Sequence, residues 1–218
     1  MRIYFVRHGK TQWNLQSRYQ GAGGDSPLLQ ESYQEMRELA HYYYQVPFRR
    51  IYASPIKRAR VTAFNISDHL KCHPAVSLWS RLEEFHLGKM EGMKFSEVKK
   101  KYPQEYNAFR FHPDQYDPAR IGGESFQQVI DRMTPAIRLI AKNNPLRSNV
   151  MVVSHGAALN AEVNALLGTS LANLRHRGGL ANTSTTILNT NDHGQHFHLV
   201  KWNNTAYLSR KLNSTDLI

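Results

Sequence analysis

Three short apolar segments of this chain each end abruptly in polar, charge-bearing residues. The first begins at the second residue and ends at Arg7-His8-Gly9, and the second leads into Ser54-Pro55 and then Arg58. The third ends at Ser154-His155-Gly156. Short apolar runs of this kind are typical of buried strands in a parallel sheet. Because ligands of open α/β sheets bind outside the carboxyl ends of the strands, two arginines and two histidines are expected to converge on one site.

Helical spacing of apolar residues follows the strands. A helix is predicted from residues spaced four and three apart after the first strand: Leu29, Tyr33, Met36, Ala40 and Tyr43. Another follows the second strand, with Ala59, Ala63, Ile66 and Leu70 on its inner face. Ser125 is the expected N-cap of a long helix, and the last helix should begin near Ala157 and stop at Gly168. With closing strands near 184–189 and 196–201, the pattern predicts a three-layer α/β/α fold around a mostly parallel sheet.

The length of 218 residues is sufficient for one sizeable core, and we expect a single domain over residues 1–218. Residues 88–121 interrupt the alternation of strands and helices. That segment is rich in Tyr, Phe and Lys, is broken by Pro103, Pro113 and Pro118, and has no evident strand. It is interpreted as a helical insertion beside the site.

The formal net charge is +11, which attracts anionic partners by electrostatic steering. The basic residues are dispersed, so a small phosphorylated metabolite is favoured over nucleic acid. No apolar stretch approaches the length of a membrane span, and no membrane partner is expected. With one cysteine, Cys72, and no visible signal peptide, a cytoplasmic protein is expected. The sequence does not indicate an oligomeric state.

The residues at the strand ends suit phosphoryl chemistry. A phosphoryl group keeps negative charge on its oxygens through transfer, and the guanidinium groups of Arg7 and Arg58 can bind those oxygens. Attack on phosphorus needs a neutral nucleophile, and His8 beside two arginines is discouraged from protonation. The N–H groups of Gly156 and Ala157 would add backbone donors at a helix N-terminus. A carboxylic acid must also protonate the leaving oxygen, and these arguments leave Glu83 and Glu84 open.

Four motifs stand at these strand ends, in this order: Arg7-His8-Gly9-x-Thr11-x-x-Asn14, Ser54-Pro55-x-x-Arg58-Ala59-x-x-Thr62-Ala63, Leu82-x-Glu84-x-x-x-Gly88 and Ser154-His155-Gly156. Together they resemble the histidine phosphatase superfamily, also called phosphoglycerate mutase-like, over nearly the whole chain. The resemblance implies that His8 is transiently phosphorylated and that Glu84, rather than Glu83, is the acid and base. It implies phosphate contacts from Arg7, Arg58 and His155, and a pocket lining that includes Asn14, Gln20 and Gly21.

The chain departs from the family pattern at two positions. Lys10 stands where an acidic residue or glutamine is frequent, and Ser32 stands where the next helix commonly has glycine. Neither change is expected to affect the phosphate chemistry.

The resulting hypothesis is a metal-independent phosphomonoesterase that works through phosphohistidine and needs no cofactor. One alternative is a cofactor-dependent phosphoglycerate mutase, although the residues after Glu84 differ from the Arg-His-Tyr-Gly continuation of those enzymes. Another is a catalytically idle module that binds a phosphorylated ligand. His193, His196 and His198 are expected to be surface residues on a strand, and no metal site is predicted there. The identity of the substrate cannot be read from the sequence.

Overall fold

A computed structural model describes residues 1–217 and has a six-stranded sheet at its centre. The strands are β1 (Arg2–Arg7), β2 (Phe48–Ala53), β3 (Val76–Leu78), β4 (Asn149–Ser154), β5 (Thr185–Asn189) and β6 (His198–Asn204). Their order is β3-β2-β4-β1-β5-β6. The first four in that order are parallel, and β5 and β6 are antiparallel to their neighbours. The prediction of a mostly parallel α/β sheet is confirmed.

Helices lie on both faces of the sheet. They are α1 (Gln12–Leu15), α2 (Gln30–Tyr42), α3 (Lys57–His69), α4 (Phe95–Lys101), α5 (Pro103–Phe111), α6 (Phe126–Lys142) and α7 (Gly156–Leu166). Alternate residues of a strand point to opposite faces. In β1, Tyr4 and Val6 therefore pack in one core with residues of α2 and α3. Ile3 and Phe5 pack in the other core with α6 and α7. Two cores on one sheet give the three layers that the sequence predicts.

Most predicted helix ends are close to the observed ones. Ser125 is the N-cap of α6, where its hydroxyl accepts the N–H of Gln128, and Gly168 after α7 has a φ of +75°. Both predictions are confirmed. Leu29, predicted on the inner face of α2, instead precedes that helix as its N-cap.

Residues 88–121 form α4, α5 and short 3-10 helices. The two ends of this segment lie against each other, since the Lys89 N–H donates to the Ile121 carbonyl over 2.9 Å. Gly88 has a φ of +52°, and a Cβ at that position would lie 2.1 Å from the Ile121 carbonyl oxygen. Glycine is therefore required where the segment leaves and rejoins the chain. The predicted single domain extends to residue 218, which lies outside the described residues, and that assignment stays a prediction.

The histidine-rich segment near the end of the sheet differs from the prediction. Strand β6 begins at His198, so His193 and His196 lie in the preceding turn and not at alternate positions of a strand. His193 has a φ of 58°, and the Nδ1 of His196 lies 2.7 Å from Asp192 Oδ2. Within residues 1–217, no three metal-ligating side chains are grouped so as to hold an ion. No helix in that part of the chain is long and apolar enough to cross a membrane.

A buried carboxyl group joins α6 to α7. The Oγ1 of Thr134 lies 3.1 Å and 2.9 Å from the two carboxyl oxygens of Glu162. The single proton of that hydroxyl can be shared by both oxygens, and a proton on the carboxyl group would give the second contact a donor of its own. Burial raises the pKa of Glu162 to about 8, although the hydrogen bond from Thr134 opposes this shift. With that pKa, Glu162 is expected to be mostly protonated in the folded protein at pH 7.

Replacement of Glu162 by glutamine should change how stability depends on pH. The unfolded chain loses the Glu162 proton near pH 4.5 and the folded chain near pH 8, so wild type loses stability between these values. This group contributes a loss of about 1.4 kcal/mol per pH unit in that window. Glu162→Gln keeps the neutral shape without titrating. Urea unfolding should give similar free energies of unfolding for the two proteins at pH 4.5. As the pH rises towards 8, the variant should become increasingly more stable than wild type.

Glu31→Gln is the matched control, because Glu31 is exposed in the first turn of α2. It should follow the pH dependence of wild type. If wild type and Glu162→Gln show the same dependence of unfolding free energy on pH, Glu162 ionises in the folded protein as it does in the unfolded chain, and the prediction is wrong.

Candidate active site

His8 lies immediately after β1, where its backbone N–H donates to the Ser154 carbonyl at the end of β4. The imidazole is buried, with Nδ1 2.7 Å from the Gly9 carbonyl oxygen. Because a carbonyl only accepts, Nδ1 carries the proton in the neutral ring. The lone pair is then on Nε2, which accepts the Nε–H of Arg58 over 3.2 Å. The ring therefore presents a basic nitrogen to the guanidinium of Arg58.

The surroundings of His8 keep the ring uncharged. Burial is the largest cause that lowers its pKa well below 6.5, followed by the charges of Arg58 and Arg7. The hydrogen bond to Gly9 acts in the opposite direction and is the weaker influence. An imidazole that is neutral near pH 7 can act as a nucleophile.

Arg7, the last residue of β1, is fully buried. Its Nη1 donates to the carbonyl oxygens of Leu180 and Asp216, each over 2.6 Å. Its Nε and Nη2 are buried and have no hydrogen-bond partner among residues 1–217. These two nitrogens form one edge of the guanidinium, which matches two oxygens of a phosphate or carboxylate. A Cβ on Gly156 would lie 2.9 Å from the Arg7 Nε, so glycine permits this close approach at the start of α7.

Arg58 lies in the first turn of α3 and has a complete set of partners. Besides the contact with His8, its Nη1 donates to the carbonyl of Gly24 over 2.7 Å and to Asp25 Oδ1 over 3.2 Å. Its Nη2 donates to the carbonyls of Gln20 and Gly21. Asp25 was not predicted as a site residue. The loop over residues 20–25 thus fixes the guanidinium against the His8 ring.

His155 is the N-cap of α7, and its ring centroid lies 5.2 Å from that of His8. Its Nε2 lies 2.8 Å from the Ser54 hydroxyl, which also accepts the Ile56 N–H. Donation from the Ser54 hydroxyl to Nε2 is the arrangement that leaves the ring proton on Nδ1. Nδ1 is buried and has no partner in the described part of the chain. Burial is the main cause that lowers the pKa of His155 well below 6.5, and the charge of Arg58 adds to it.

Glu84 lies at the N-terminus of α7. Its carboxylate accepts the N–H groups of Ala157 over 3.1 Å, of Ala158 over 2.7 Å and of Phe85 over 3.0 Å. The sequence predicts the Ala157 N–H as a donor to phosphate, whereas in this arrangement that group donates to Glu84. Glu83 is only half-buried, and its side chain makes no hydrogen bond within residues 1–217. The carboxyl group placed at the centre is thus that of Glu84.

Arg132, on α6, positions the loop that carries Glu84. Its Nη1 donates to the carbonyls of Arg81 and Glu83, and its Nη2 donates to the carbonyl of Glu84. Glu124 pairs with this guanidinium over 2.9 Å and accepts the His86 N–H. Glu124 therefore has a structural role in the loop. Sequence analysis did not identify Arg132, because an arginine on the polar face of a helix resembles any surface residue.

Asn14 and Gln20 meet at Thr11. The Asn14 Oδ1 accepts the Thr11 N–H over 3.1 Å, and the Gln20 Oε1 accepts the Thr11 hydroxyl over 2.8 Å. Asn182, which sequence analysis missed, donates to the His8 carbonyl and to Asn14 Oδ1. These amides surround the turn after His8 and fix its backbone. Their direct contact with a substrate stays a prediction.

Lys10 is linked to the centre through Asp216, and the expectation that it leaves the phosphate chemistry unaffected stays a prediction. It is buried and pairs with Asp216 over 3.0 Å, and the carbonyl of that same aspartate accepts from Arg7. Burial would raise the pKa of Asp216, but hydrogen bonds from Arg210, the Asn213 N–H and Lys10 outweigh it and hold that pKa below its ordinary value. Ser32 also lies nearby, because its hydroxyl donates to the Lys10 carbonyl. Both departures from the family pattern are therefore built into the environment of the site.

The site is a buried cluster of two guanidinium groups, two imidazoles and one carboxylate at the carboxyl ends of β1, β2 and β4. The unpartnered donors of Arg7 and the unpartnered Nδ1 of His155 are typical of a site for an anion that forms hydrogen bonds. The imidazole of His8 lies among them, and Glu84 supplies the carboxylate of the cluster. The geometry thus defines a class of α/β protein with an anion site that can carry out phosphoryl transfer.

Comparison with known families agrees with this class. Residues 3–205 match the model of the histidine phosphatase superfamily, branch 1. This chain belongs to the histidine phosphatase superfamily.

The chain is similar to proteins and structures from several organisms. It is 32% identical over 209 residues to a metal-independent phosphoserine phosphatase of Arabidopsis thaliana, covering 95% of this chain and 83% of that protein. It is 33% identical over 159 residues to a Caenorhabditis elegans 6-phosphofructo-2-kinase/fructose-2,6-bisphosphatase, covering 72% of this chain but only 32% of that longer protein. The structure of Bacillus stearothermophilus YhfR superimposes with a TM-score of 0.86 at 30% identity, covering 94% and 98% of the two chains.

The ring protonation of His8 can be measured directly. Long-range ¹H–¹⁵N spectra, assigned with His8→Gln, should show a neutral ring protonated at Nδ1. Because burial, Arg58 and Arg7 lower its pKa, the ring should stay neutral as pH falls through 6.5. An imidazolium signal at that pH, or a proton on Nε2, would contradict the assignment made from the Gly9 contact.

Proposed function

We propose that this protein is a metal-independent phosphomonoesterase, and that it hydrolyses a small phosphorylated metabolite through a phosphohistidine on His8. The observation that carries the proposal is the pair of buried, unpartnered donors on Arg7 beside the basic nitrogen of His8. A buried guanidinium edge without partners is costly, and a phosphate dianion supplies the two acceptors that it lacks. The phosphatase activities in the names of the Arabidopsis thaliana and Caenorhabditis elegans relatives support the same reaction type.

In the first step, the phosphate oxygens bind Arg7 and His155 while phosphorus faces the His8 Nε2. The Nε2 lone pair leaves the Arg58 Nε–H and forms a bond to phosphorus as the ester P–O bond breaks. The Arg58 Nε–H is then free to donate to a phosphate oxygen. The electron pair of the broken P–O bond goes to the leaving oxygen, which takes a proton from Glu84. Glu84 takes up that proton from solvent when the phosphate dianion binds beside it. The proton on Nδ1 stays with the Gly9 carbonyl, so positive charge on the phosphorylated ring is shared by that hydrogen bond.

In the second step, Glu84 takes a proton from water. The oxygen of that water attacks the phosphorus, and the P–N bond returns its electron pair to Nε2. Glu84 suits this step because its carboxylate accepts three N–H groups and is the form that acts as a base. Arg132 holds the carbonyl of Glu84 in both steps and acts as a positioning residue. The cycle restores neutral His8 and releases inorganic phosphate.

The proposal predicts hydrolysis that depends on His8 and resists chelation. Wild type and His8→Ala would be compared over p-nitrophenyl phosphate and phosphorylated sugars, glycerates, amino acids and nucleotides, with EDTA present. Wild type should release phosphate, and His8→Ala should lose at least about 10³-fold in rate while it remains folded by circular dichroism. Acid-labile, base-stable labelling of wild type by ³²P would identify the phosphohistidine.

Other outcomes of this screen favour other functions. Transfer of phosphate between phosphoglycerates with little release would identify a mutase. Binding of phosphate esters without turnover of any of them would identify a binding module and overturn the proposal.

Glu84→Gln tests the acid and base, and Glu83→Gln is its matched control. An alkoxide needs a proton to leave, whereas p-nitrophenolate does not. Glu84→Gln should therefore slow hydrolysis of an alkyl phosphate by about 10²–10⁴-fold. The loss on p-nitrophenyl phosphate should fall mainly on the second step, so that phosphoenzyme accumulates. Glu83→Gln should keep the rates of wild type, and an equal loss in both variants would assign the effect to the loop and not to proton transfer.

A further inference from the structure

A second cluster of cations lies outside the residues that the proposed chemistry uses. A cavity of about 220 Å³ is lined by Phe109, Arg110, Phe111, Arg175, Gly178 and Gly179. Neither of its arginines forms an ion pair with a carboxylate in the described part of the chain. Two like charges that share a cavity repel each other, and an anion bound between them would offset this repulsion. The cavity therefore has the electrostatic character of an anion site.

Arg175 is incompletely partnered in this cavity. Its Nη2 donates to the Phe109 carbonyl over 3.1 Å, while its Nε is buried and has no partner within residues 1–217. Its guanidinium carbon lies 5.4 Å from the ring centroids of Phe109 and Phe126, so the aromatic rings fix the plane of the group. The guanidinium of Arg110 stacks in a similar way on Phe95 at 5.0 Å. Both cations are held by apolar faces, and their charge remains available to a ligand.

The cavity adjoins the catalytic centre on two sides. Phe85, which follows Glu84, packs on Phe109 and Phe126 with centroid separations of 5.3 Å and 4.9 Å. These are the same two rings on which Arg175 lies. On the other side, Gly178 and Gly179 lead directly to Leu180, whose carbonyl accepts from Arg7 over 2.6 Å.

The electrostatics agree with this placement. Burial and, after it, the charge of Arg110 lower the pKa of Arg175 to about 10, whereas the charge of Glu84 opposes this shift. Arg175 lies on Phe109 and Phe126, and the residue that follows Glu84 packs on the same two rings. A group bound at Arg175 would therefore lie on the side of Glu84, which protonates the leaving oxygen in the proposed reaction.

We propose that this cavity binds a second anionic group, a carboxylate or a second phosphate, of the ester whose phosphoryl group is transferred to His8. Arg175 supplies the main donors and Arg110 adds positive charge. The substrate class is therefore a phosphate ester with a further acidic group in its leaving part. This assignment rests on the proposed function for the position of the transferred phosphoryl group.

The test measures binding and not turnover, so its result is independent of the proposed hydrolysis. In His8→Ala protein, calorimetry would compare 3-phosphoglycerate with sn-glycerol 3-phosphate, in which a neutral hydroxymethyl group replaces the carboxylate. Fructose 1,6-bisphosphate and fructose 6-phosphate form the second pair and test a second phosphate. In at least one of the two pairs, the ligand with the extra anionic group should bind at least about tenfold more tightly than the other ligand. This is the gain expected for a charge-assisted hydrogen bond. The pair that shows the preference identifies the anion.

Three further variants, each combined with His8→Ala, assign the preference to the cavity. Arg175→Gln should reduce the ratio of the two affinities to near one, and Arg110→Gln should reduce it in part. Arg110→Gln also serves if the loss of Arg175 prevents folding. Arg177→Gln is the matched control, because it removes the same charge from the same loop, but its guanidinium is held by Asn164 and Thr169. It should keep the preference.

Two results would overturn the assignment: equal affinities within both pairs, or a preference that survives in Arg175→Gln and in Arg110→Gln. The hydrolysis screen judges the proposed function separately. A preference that depends on Arg175, in a protein that hydrolyses no ester, would support the anion site and contradict the hydrolase. Hydrolysis of an ester, with equal affinities for the two ligands of each pair, would support the hydrolase and contradict the anion site.

Discussion

A guanidinium buried beside two imidazoles is the constraint on which the site of this protein depends. Removal of such a charge from water costs on the order of several kcal/mol unless its donors and its charge are compensated. The carbonyls of Leu180 and Asp216 accept hydrogen bonds from one nitrogen of Arg7, and its other two nitrogens have no partners among the described residues. Burial lowers the pKa of Arg7 and also of Arg58, and the charge of Glu84 opposes that shift in both. The folded protein is therefore destabilised by the part of this desolvation free energy that is not compensated. Binding of an anion with two oxygens would offset that part.

The charge of His8 and the position of Glu84 are set by different residues. Arg7 and Arg58, together with burial, keep His8 neutral, and the Gly9 carbonyl determines which ring nitrogen is basic. Glu84 is positioned by the backbone N–H groups at the start of α7 and by the hydrogen bond from Arg132 to its carbonyl. Substitution of Arg132 would therefore displace a carboxyl group without changing the charge beside His8, whereas substitution of Arg58 would change that charge directly.

The sequence predicted those parts of the site that leave a local signal. An apolar strand followed at once by His8 or His155, or within a few residues by Arg58, is visible as a pattern. The alternation of strands with helices follows from spacing alone. The partners of Arg7 at Leu180 and Asp216 were not predictable in this way, because they act through carbonyl oxygens that every residue has. The last strand was predicted from residue 196 and begins at His198, because the backbone N–H of His196 donates to Asp192 in the preceding turn.

Lys10 departs from the family pattern and is linked to Arg7 through Asp216, without contact with His8. A buried ammonium group needs a carboxylate, and Asp216 supplies it while Arg210 pairs with the same aspartate. Arg210 also pairs with Glu35, which accepts the hydroxyl of Thr183, two residues before β5. These ion pairs fix the segment in which the Asp216 carbonyl accepts from Arg7. The residue at position 10 is therefore linked to Arg7 through a distant segment of the chain, and a family comparison of position 10 alone would not find its partner.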